Sequence, residues 1–171
     1  MIFPVDTERL RLRAIVTGDW AFIRTLLNSP GWLSFIGDRK VHTKAEAVSY
    51  IEKGPMANYR QLGFGTGLVE LKATGQPIGM CGLLQRSFLP VPDIGFAYLG
   101  EYTGKGYGYE AAHGLLLHLA ATKRFHHIMA FCQPDNQASA ALLLKLGFQP
   151  EDDLWVDGDP QPKKLFSFFF S

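Results

Sequence analysis

The feature that most constrains this chain is a glycine-rich loop at residues 102–112, YTGKGYGYEAA, between a predicted strand and a predicted helix. Glycine occupies positions 104, 106 and 108, which indicates backbone angles or a close backbone approach that a Cβ would prevent. The first turn of a helix carries unpaired N–H groups and the positive end of the helix dipole. The loop therefore predicts either a site for an anion such as phosphate or a plain strand-to-helix turn.

The strand before the loop has two unequal faces. In DIGFAYL (93–99), Ile94 and the alternate residues after it share an apolar face. The opposite face, formed by Asp93, Gly95 and Ala97, is nearly bare, so a ligand has room to lie close against it.

A helix and a second strand follow the loop. The helix is predicted from Tyr109 to Arg124, with Lys123 and Arg124 complementing its dipole, and the strand from Ile128 to Cys132. Two strands joined through a helix predict a right-handed parallel βαβ unit. The glycine loop then lies at the carboxyl end of the first strand, where open α/β sheets bind ligands.

The rest of the pattern predicts one 171-residue domain without repeats or linkers. Trp32 and Phe35 fall in a predicted loop, GWLSFIGDRK, where they line a site or fill the core. The other predicted elements are strands at 10–14, 68–72, 78–85 and LFSFFF (165–170), a polar loop at 151–164, and helices from Thr17 or Asp19 to Leu27, from Thr43 to Tyr59 and from Asp135 or Asn136 to Leu146.

Composition excludes several classes of function. A net charge of +1 and scattered basic residues argue against nucleic acid as a partner. Cys81 and Cys132 lie in apolar runs, which indicates buried thiols in a reducing compartment rather than disulfides. The histidines lack metal-ligand spacing, so no metal is expected. Without a signal peptide or a long apolar run, we expect a cytoplasmic protein with no membrane contact.

The two common nucleotide motifs do not match. GxxxxGK[ST] is absent from the sequence, and Tyr109 stands where GxGxxG requires its last glycine. The dinucleotide fingerprint would also normally follow the first strand of a fold rather than one in the middle. The sequence therefore gives only weak support to a P-loop or to a dinucleotide-binding site.

Three segments together resemble the GNAT superfamily of acyl-CoA-dependent N-acetyltransferases. TERLRLR (7–13) and DIGFAYLGEYTGKGYGYEA (93–111) are similar to the branch that acetylates ribosomal-protein N-termini, and NQASAALLLKLGF (136–148) to its NxxSxxxxxKLGF helix. The family's [QR]xxGx[GA] loop matches 103–108 except at its first position. The resemblance implies a mixed α/β (α+β) fold, with a mostly antiparallel central sheet, a central parallel βαβ cofactor unit and helices on both faces.

The resemblance also implies where acetyl-CoA, as co-substrate, would bind. Backbone N–H groups of the glycine loop would hold the pyrophosphate, and the pantetheine arm would lie along the strand before it. Thr103 is shorter than the usual Gln or Arg at its position. The implied cofactor-binding residues are Phe96, Ala97, Tyr98, Thr103, Gly104, Lys105, Gly106, Tyr107, Gly108, Tyr109 and Asn136.

Transfer of an acetyl group to an amine requires a base, because primary amines are protonated at neutral pH. Asp93 is the favoured candidate, since it stands where the family's EIG motif carries its acidic residue. The alternative is that Asp93 is only a turn residue after proline. Glu70 and Glu101 are substitutes for the base.

The resemblance assigns the remaining chemistry less specifically. A main-chain N–H near Phe96 or Ala97 would stabilise the oxyanion. Leu143 stands where many members carry a tyrosine acid, which leaves Ser139 as the hydroxyl near the leaving thiolate. Ser139 also fits a plain cap-region residue.

The predicted function is an N-acetyltransferase acting on a primary amine, a protein N-terminus or a small molecule, by direct attack in a ternary complex. The alternatives are a CoA-binding module without catalysis and, less favoured, a nucleotide-binding regulator. Asp152, Asp153, Asp157 and Asp159 either attract a cationic acceptor or form a solvated loop. The chain is expected to be a monomer or homodimer.

Overall fold

Eight strands form one sheet in the computed structural model, which describes residues 1–171. Their order across the sheet is β1-β2-β3-β4-β5-β6-β8-β7, and every neighbouring pair is antiparallel except β5 and β6. The strands are β1 (Val5–Asp6), β2 (Leu10–Ala14), β3 (Thr66–Leu71), β4 (Pro77–Leu84), β5 (Asp93–Tyr98), β6 (His127–Cys132), β7 (Gln149–Pro150) and β8 (Lys164–Phe169).

Helices cover both faces of the sheet, as expected. The helices are α1 (Trp20–Leu27), α2 (Pro30–Phe35), α3 (Lys44–Ile51), α4 (Ala57–Leu62), α5 (Tyr107–Thr122) and α6 (Gln137–Lys145). Helices α1 to α3 pack over one apolar cluster, and α5 and α6 pack over a larger one on the opposite face. None of the helices combines the length and apolar character that a membrane-spanning segment requires.

The predicted βαβ unit is confirmed, and its two strands separate along their length. β5 and β6 are parallel and in register at one pair, Asp93 with Met129. Beyond that pair β5 continues to Tyr98 and β6 to Cys132 without pairing. The sheet therefore has a gap that opens from Asp93 toward the glycine loop.

The alternation of faces along β5 is confirmed. Ile94, Phe96 and Tyr98 pack with the larger cluster under α5, and Ala97 packs with the cluster under α1 to α3. Asp93 occupies the same side of the strand as Ala97, because side chains alternate along a strand.

The helix after the loop begins and ends earlier than predicted. It starts at Tyr107 and ends at Thr122, since Lys123 has φ +55 and leaves the helix. The Arg124 guanidinium donates to the carbonyl oxygens of Leu62 and Gly63, at the end of α4. Arg124 thus caps a neighbouring helix rather than its own, a contact between residues distant in sequence.

The predicted loop GWLSFIGDRK is wrong in part, because its first residues form α2. Ser29 has the extended backbone of an N-cap and Pro30 occupies the first helical position, where proline is favoured. Trp32 is 8% exposed and fills the core, whereas Phe35 is 37% exposed. The core-filling alternative therefore holds for Trp32 only.

The second long helical segment extends to Leu62, beyond the predicted Tyr59. Its capping box is confirmed, with Thr43 and Glu46 exchanging backbone-to-side-chain bonds of 3.1 and 3.2 Å. A π-helical turn at Glu52–Met56 joins α3 to α4 and contains Pro55. Proline has no N–H for the regular helical bond, and the wider turn accommodates it.

The C-terminal predictions are confirmed. Asn136 caps α6 by accepting from the Ser139 N–H at 3.2 Å, and Gly147 follows with φ +99. The N–H of Phe148 donates to Leu143 at 3.0 Å, which closes the helix end. β8 lies between β6 and β7, and β6 covers one edge of this apolar strand along its whole length while β7 pairs with two residues of the other.

Candidate active site

Backbone hydrogen bonds determine which way each amide of β5 points. The N–H of Leu99 donates to Ile78 of the β4 side at 3.1 Å, and the N–H of Met129 on β6 donates to Pro92 at 3.0 Å. Successive residues of a strand direct their N–H and C=O groups to opposite edges. Even-numbered residues of β5 therefore face β6, and odd-numbered residues face β4.

The main chains of Phe96 and Tyr98 consequently face the gap between β5 and β6. They lie beyond the one registered pair, so β6 does not occupy their hydrogen-bonding groups. The N–H of Ala97 faces β4, where Ala97 lies opposite Met80. Of the two predicted oxyanion donors, the geometry leaves Phe96 and excludes Ala97, and Ala97 offers no amide to a ligand in the gap.

The glycine loop presents a run of free amides at the wide end of the gap. None of the N–H groups from Gly104 to Tyr109 donates to a protein acceptor, and no side chain caps α5 at its N-cap, Gly106. Gly104 and Gly106 have φ of +72 and +82, which favours glycine. These amides and the dipole of a 16-residue helix form an anion-binding cradle.

A partly exposed hydrogen-bond network braces this loop from the opposite side. Glu110, in the first turns of α5, accepts from the Thr7 hydroxyl at 2.6 Å, from the Arg9 N–H at 2.7 Å and from Arg9 Nε at 2.6 Å. Burial would raise the pKa of Glu110, but the bonds from Thr7 and Arg9 outweigh it, so the net pKa is lowered. This role of Thr7 and Arg9 is not visible in the sequence, because it depends on contacts between residues more than 100 positions apart.

Arg9 also holds the loop itself. Its Nη1 donates to the Lys105 carbonyl at 3.2 Å, and its guanidinium carbon lies 4.4 Å from the centre of the Tyr107 ring. A cleft of about 710 Å³ lies here, between residues 4–9 and α5. It borders the back of the loop.

Thr103 is committed to the turn before the cradle. Both its N–H and its hydroxyl donate to the Gly100 carbonyl, at 3.2 and 2.7 Å. The hydroxyl proton is therefore used within the protein. Lys105 Nζ lies 5.8 Å from the centre of the Tyr102 ring, on the exposed side of the loop.

The tyrosines of this region differ in position. Tyr98 lies beside the start of α5, where a Cβ added at Gly108 would be 3.5 Å from Cε2 of the tyrosine ring. Its hydroxyl is buried without a hydrogen-bond partner, and burial raises its pKa well above the ordinary value. Tyr109 stacks on His113 and lies under Lys145. Tyr98 thus offers its main chain, not its hydroxyl, to the gap.

Asp93 lies at the closed end of the gap and is 1% exposed. Its Oδ1 is 3.4 Å from Nε of Arg86, which follows β4. Burial raises the pKa of Asp93 to about 6, and the positive charge of Arg86 opposes the rise. A carboxylate with this pKa is ionised at neutral pH and is a much better proton acceptor than an ordinary aspartate.

Arg86 was not identified from the sequence, since an arginine in a loop carries no motif. Its guanidinium lies 4.9 Å from the centre of the Phe131 ring on β6, and Phe131 packs edge-on against Phe88. Tyr50 of α3 is close by: burial raises its pKa, and the charges of Arg39 and Arg86 oppose the rise. The closed end of the gap is therefore aromatic and positively charged around one buried carboxylate.

A second polar cluster lies at the end of β6, where the Asn136 main-chain carbonyl is 4.0 Å from Sγ of Cys132. Burial raises the pKa of Cys132, while Lys164 and the Ser139 hydroxyl oppose the rise. Ser139 thus lies beside the thiol of Cys132, while Leu143 is 1% exposed and packs in the core without offering a hydroxyl.

The two substitute bases lie elsewhere. Glu70 accepts from Arg13 at 3.0 Å on the neighbouring strands, where Arg13 also binds Asp19. Glu101 is exposed in a short 3₁₀ turn after β5. Neither carboxylate is at the closed end of the gap, which leaves Asp93 there.

The closing loop contributes a polar cleft of about 210 Å³ beside the end of β6. Asp159 forms an ion pair of 3.0 Å with Lys163, so one charge of the predicted acidic set is neutralised. The cleft is lined by Ser34, Gln133, Asp135, Asp159, Gln161 and Lys163, together with Pro160. No group of three or more His, Cys, Asp or Glu side chains is arranged to hold a metal ion.

Comparison with known proteins identifies a consistent set of relatives. A family model described as an acetyltransferase (GNAT) domain matches residues 9–149. YnaD of Bacillus subtilis (strain 168), an uncharacterized N-acetyltransferase, is 25% identical over 147 residues, which are 86% of this chain and 83% of YnaD. The ribosomal protein uS5-alanine N-acetyltransferase of Escherichia coli (strain K12) is 35% identical over 69 residues, 38% of this chain and 36% of that enzyme.

The fold is also similar to that of solved acetyltransferase structures. The solved structure of RimL, a ribosomal L7/L12 alpha-N-protein acetyltransferase in complex with coenzyme A, matches with a TM-score of 0.84. The match covers 98% of both chains at 17% identity, so it shows a shared fold.

Proposed function

The chain belongs to the GNAT acetyltransferase family, and from this premise we propose that it transfers an acetyl group from acetyl-CoA to a primary amine by direct attack in a ternary complex. The acceptor is a protein N-terminus or a small-molecule amine. The ribosomal-protein acetyltransferases among its relatives support an amine acceptor. We place the protein in the cytoplasm, in keeping with its free, buried Cys81 and Cys132.

The observation that carries the proposal is the run of unpaired N–H groups from Gly104 to Tyr109 at the wide end of the β5–β6 gap. A bound polyanion requires several free hydrogen-bond donors. An extended arm of the same ligand requires a strand edge whose main-chain hydrogen-bonding groups are unpaired. From Asp93 to Tyr98, β5 extends over about 17 Å at roughly 3.3 Å per residue. The cradle and the closed end of the gap are thus separated by the length of an extended arm.

The residues present fit acetyl-CoA. The amides from Gly104 to Tyr109 would hold the pyrophosphate, and the main chains of Phe96 and Tyr98 would hold the pantetheine arm. When bound, acetyl-CoA supplies an activated carbonyl carbon and a thiolate leaving group. Asn136 and Ser139 border the same gap from α6, and the Asn136 side-chain N–H₂ makes no bond within the protein.

Asp93 acts as the base in this proposal. Its pKa of about 6 keeps it ionised at neutral pH while leaving it basic enough to accept the proton that the amine nitrogen loses. Because Asp93 is 1% exposed, we propose that the proton reaches it through one water molecule.

The other two roles fall to groups on either side of the gap. The Phe96 N–H supplies the hydrogen-bond donor for negative charge on the carbonyl oxygen. The Ser139 hydroxyl donates a proton to the departing thiolate, for which an acid helps but is not obligatory, because thiols have a pKa near 8.5.

A second candidate function, a CoA-binding module without catalysis, is favoured by one observation. Leu143 is buried where many relatives carry a tyrosine, so that acid is lacking. In that case the glycine-loop amides would still bind CoA, but the protein would not catalyse acetyl transfer.

Two measurements test the proposal. The melting temperature is measured with acetyl-CoA, CoA, ATP and NAD, each at about 100 times a plausible dissociation constant, where one-site binding adds roughly 2.7 kcal/mol and raises the midpoint by several degrees. Thiol release from acetyl-CoA is then measured with a mixed panel of amines. Stabilisation by CoA species with thiol release supports the enzyme, and stabilisation without release supports the binding module. Stabilisation by ATP or NAD alone would support a nucleotide-binding regulator and overturn the proposal.

A further inference from the structure

Arg86 has hydrogen-bonding capacity that the protein does not use. Its side chain is 30% exposed, yet no nitrogen of its guanidinium donates to a protein acceptor. Nε is buried and lies 3.4 Å from Asp93 Oδ1 without forming a hydrogen bond, and Oδ1 is likewise buried and unbonded. Of its unbonded nitrogens only Nε is buried, so the terminal nitrogens of the guanidinium remain accessible to a ligand that binds beside Asp93.

The position of this guanidinium is held by packing rather than by hydrogen bonds. It lies over the Phe131 ring at 4.9 Å, and Phe88 supports Phe131 from the side at 5.7 Å. Phe131 belongs to β6, so the guanidinium bridges the two strands where the gap closes. Carboxylates and phosphates are commonly bound by bidentate hydrogen bonds from an arginine that is stacked on an aromatic ring and has free donors.

A second cation lies near the same tyrosine as Arg86, although it does not shift the pKa of Asp93. Arg39, in the loop after α2, and Arg86 both act on the hydroxyl of Tyr50. A polycationic acceptor would be repelled by Arg86 next to the base, which disfavours it. An acceptor with negative charge would be attracted to the same place.

We propose, resting on the function proposed above, that Arg86 binds an anionic group of the acceptor, so that the substrates are amines carrying a carboxylate or phosphate a few bonds from the nitrogen. The amine nitrogen then lies near Asp93 while the anion occupies the free donors of Arg86.

The test compares paired amines that differ in the anion. Amino acids with small, polar and aromatic side chains are each assayed against their amides, and O-phosphoethanolamine is assayed against ethanolamine. The measured quantity is the ratio of kcat/KM for the anionic member to that for the neutral member. This ratio cancels any effect of Arg86 on the basicity of Asp93, because both members use the same base.

We expect the wild-type protein to prefer at least one anionic member by tenfold or more, and Arg86→Gln to remove that preference. Arg86→Lys keeps the charge but not the bidentate geometry of the guanidinium, so it should retain part of the preference for the anionic member. It is the variant to use if Arg86→Gln does not fold. Arg11→Gln, on β2 at the other side of β3 and β4, is the control and should leave the ratio unchanged. Preference for the phosphate or the carboxylate member identifies which anion is bound.

Binding provides a readout without turnover. The N-acetyl amino acids and their amides are titrated into the CoA complex by calorimetry, and only the acids should bind better to wild type than to Arg86→Gln. Equal ratios for wild type and Arg86→Gln, or no preference for any anionic ligand, would overturn this inference, while thiol release with neutral amines would leave the proposed function in place. No stabilisation by CoA and no thiol release with any amine would overturn both.

Discussion

Asp93 lies in register with Met129, and this is the one pair at which β5 and β6 are in register before the two strands part. The buried carboxylate therefore stands at the apex of the gap, at the opposite end from the cradle of amides. Any ligand that extends from the cradle along β5 brings its far end to Asp93.

The first prediction concerns the base. Asp93→Asn should lower kcat/KM by about 10²- to 10⁴-fold near neutral pH, the usual contribution of a general base. For the wild type, kcat/KM should rise with pH through about 6, where Asp93 ionises under the opposing influences of burial and Arg86, the one charged group that shifts it. The variant should lack this limb. Glu101→Gln is the control, because its carboxylate is exposed outside the gap, and an unchanged profile in Asp93→Asn would remove Asp93 from the base role.

The second prediction concerns stability and follows from the same raised pKa. Folded Asp93 titrates near pH 6, whereas the unfolded chain titrates near 3.9, so the folded state binds more protons between these values. The contribution of Asp93 is fully present below about pH 4 and is lost as the pH rises through 6, by up to roughly 3 kcal/mol. Asp93→Asn should therefore gain stability relative to wild type between pH 4 and 7 in chemical denaturation. A constant difference across this range would contradict the assigned pKa.

The third prediction separates the cradle from ordinary backbone strain. Gly104 and Gly75 have nearly the same φ, +72 and +74, and in both places an added Cβ meets nothing within 4 Å. Gly104→Ala and Gly75→Ala should lose similar stability, about 1 kcal/mol, because alanine disfavours this conformation. Only Gly104→Ala should weaken CoA binding, by tenfold or more in calorimetry. Equal CoA affinity for the two variants would argue that the loop is only a turn.

The fourth prediction concerns the network behind the loop. Glu110→Gln removes a charge that accepts three bonds from Thr7 and Arg9, so it should lower both the melting temperature and the affinity for CoA. Because the pKa of Glu110 is lowered, its stabilisation should be present at neutral pH and be lost as the pH falls through the folded pKa. Asp6→Asn is the matched control, since the Asp6–Arg11 pair is exposed and should contribute little.

The fifth prediction distinguishes the two residues at the start of α6. Ser139 contributes its backbone N–H to the cap, so Ser139→Ala should leave the melting temperature unchanged and lower kcat by several-fold if the hydroxyl protonates the thiolate. Asn136→Ala removes the accepting oxygen and should destabilise the protein by about 1 kcal/mol. An unchanged kcat in Ser139→Ala, with amine and acetyl-CoA both saturating, would assign Ser139 to the cap region alone.

Elements with strong local signals were predicted well from the sequence. The capping box at Thr43 and Glu46, the cap at Asn136 and the left-handed Gly147 all depend on interactions within a few residues, which a sequence displays directly. Predictions failed where distant contacts decide the outcome. Arg124 caps α4 rather than its own helix. The unpredicted helix α2, in contrast, has a local signal, because Ser29 and Pro30 are typical of a helix start.

The sequence by itself determined the βαβ unit, the glycine loop at its carboxyl end and the family resemblance, since strand alternation, helical periodicity and glycine spacing are local properties. Only the tertiary structure determined which amides face the gap. It also determined that the Thr103 hydroxyl donates to its own turn and that Arg86 lies beside Asp93 with free hydrogen-bond donors. These relationships depend on strand register and on side chains brought together from separate parts of the chain. Such distances and directions exist only once the chain has folded.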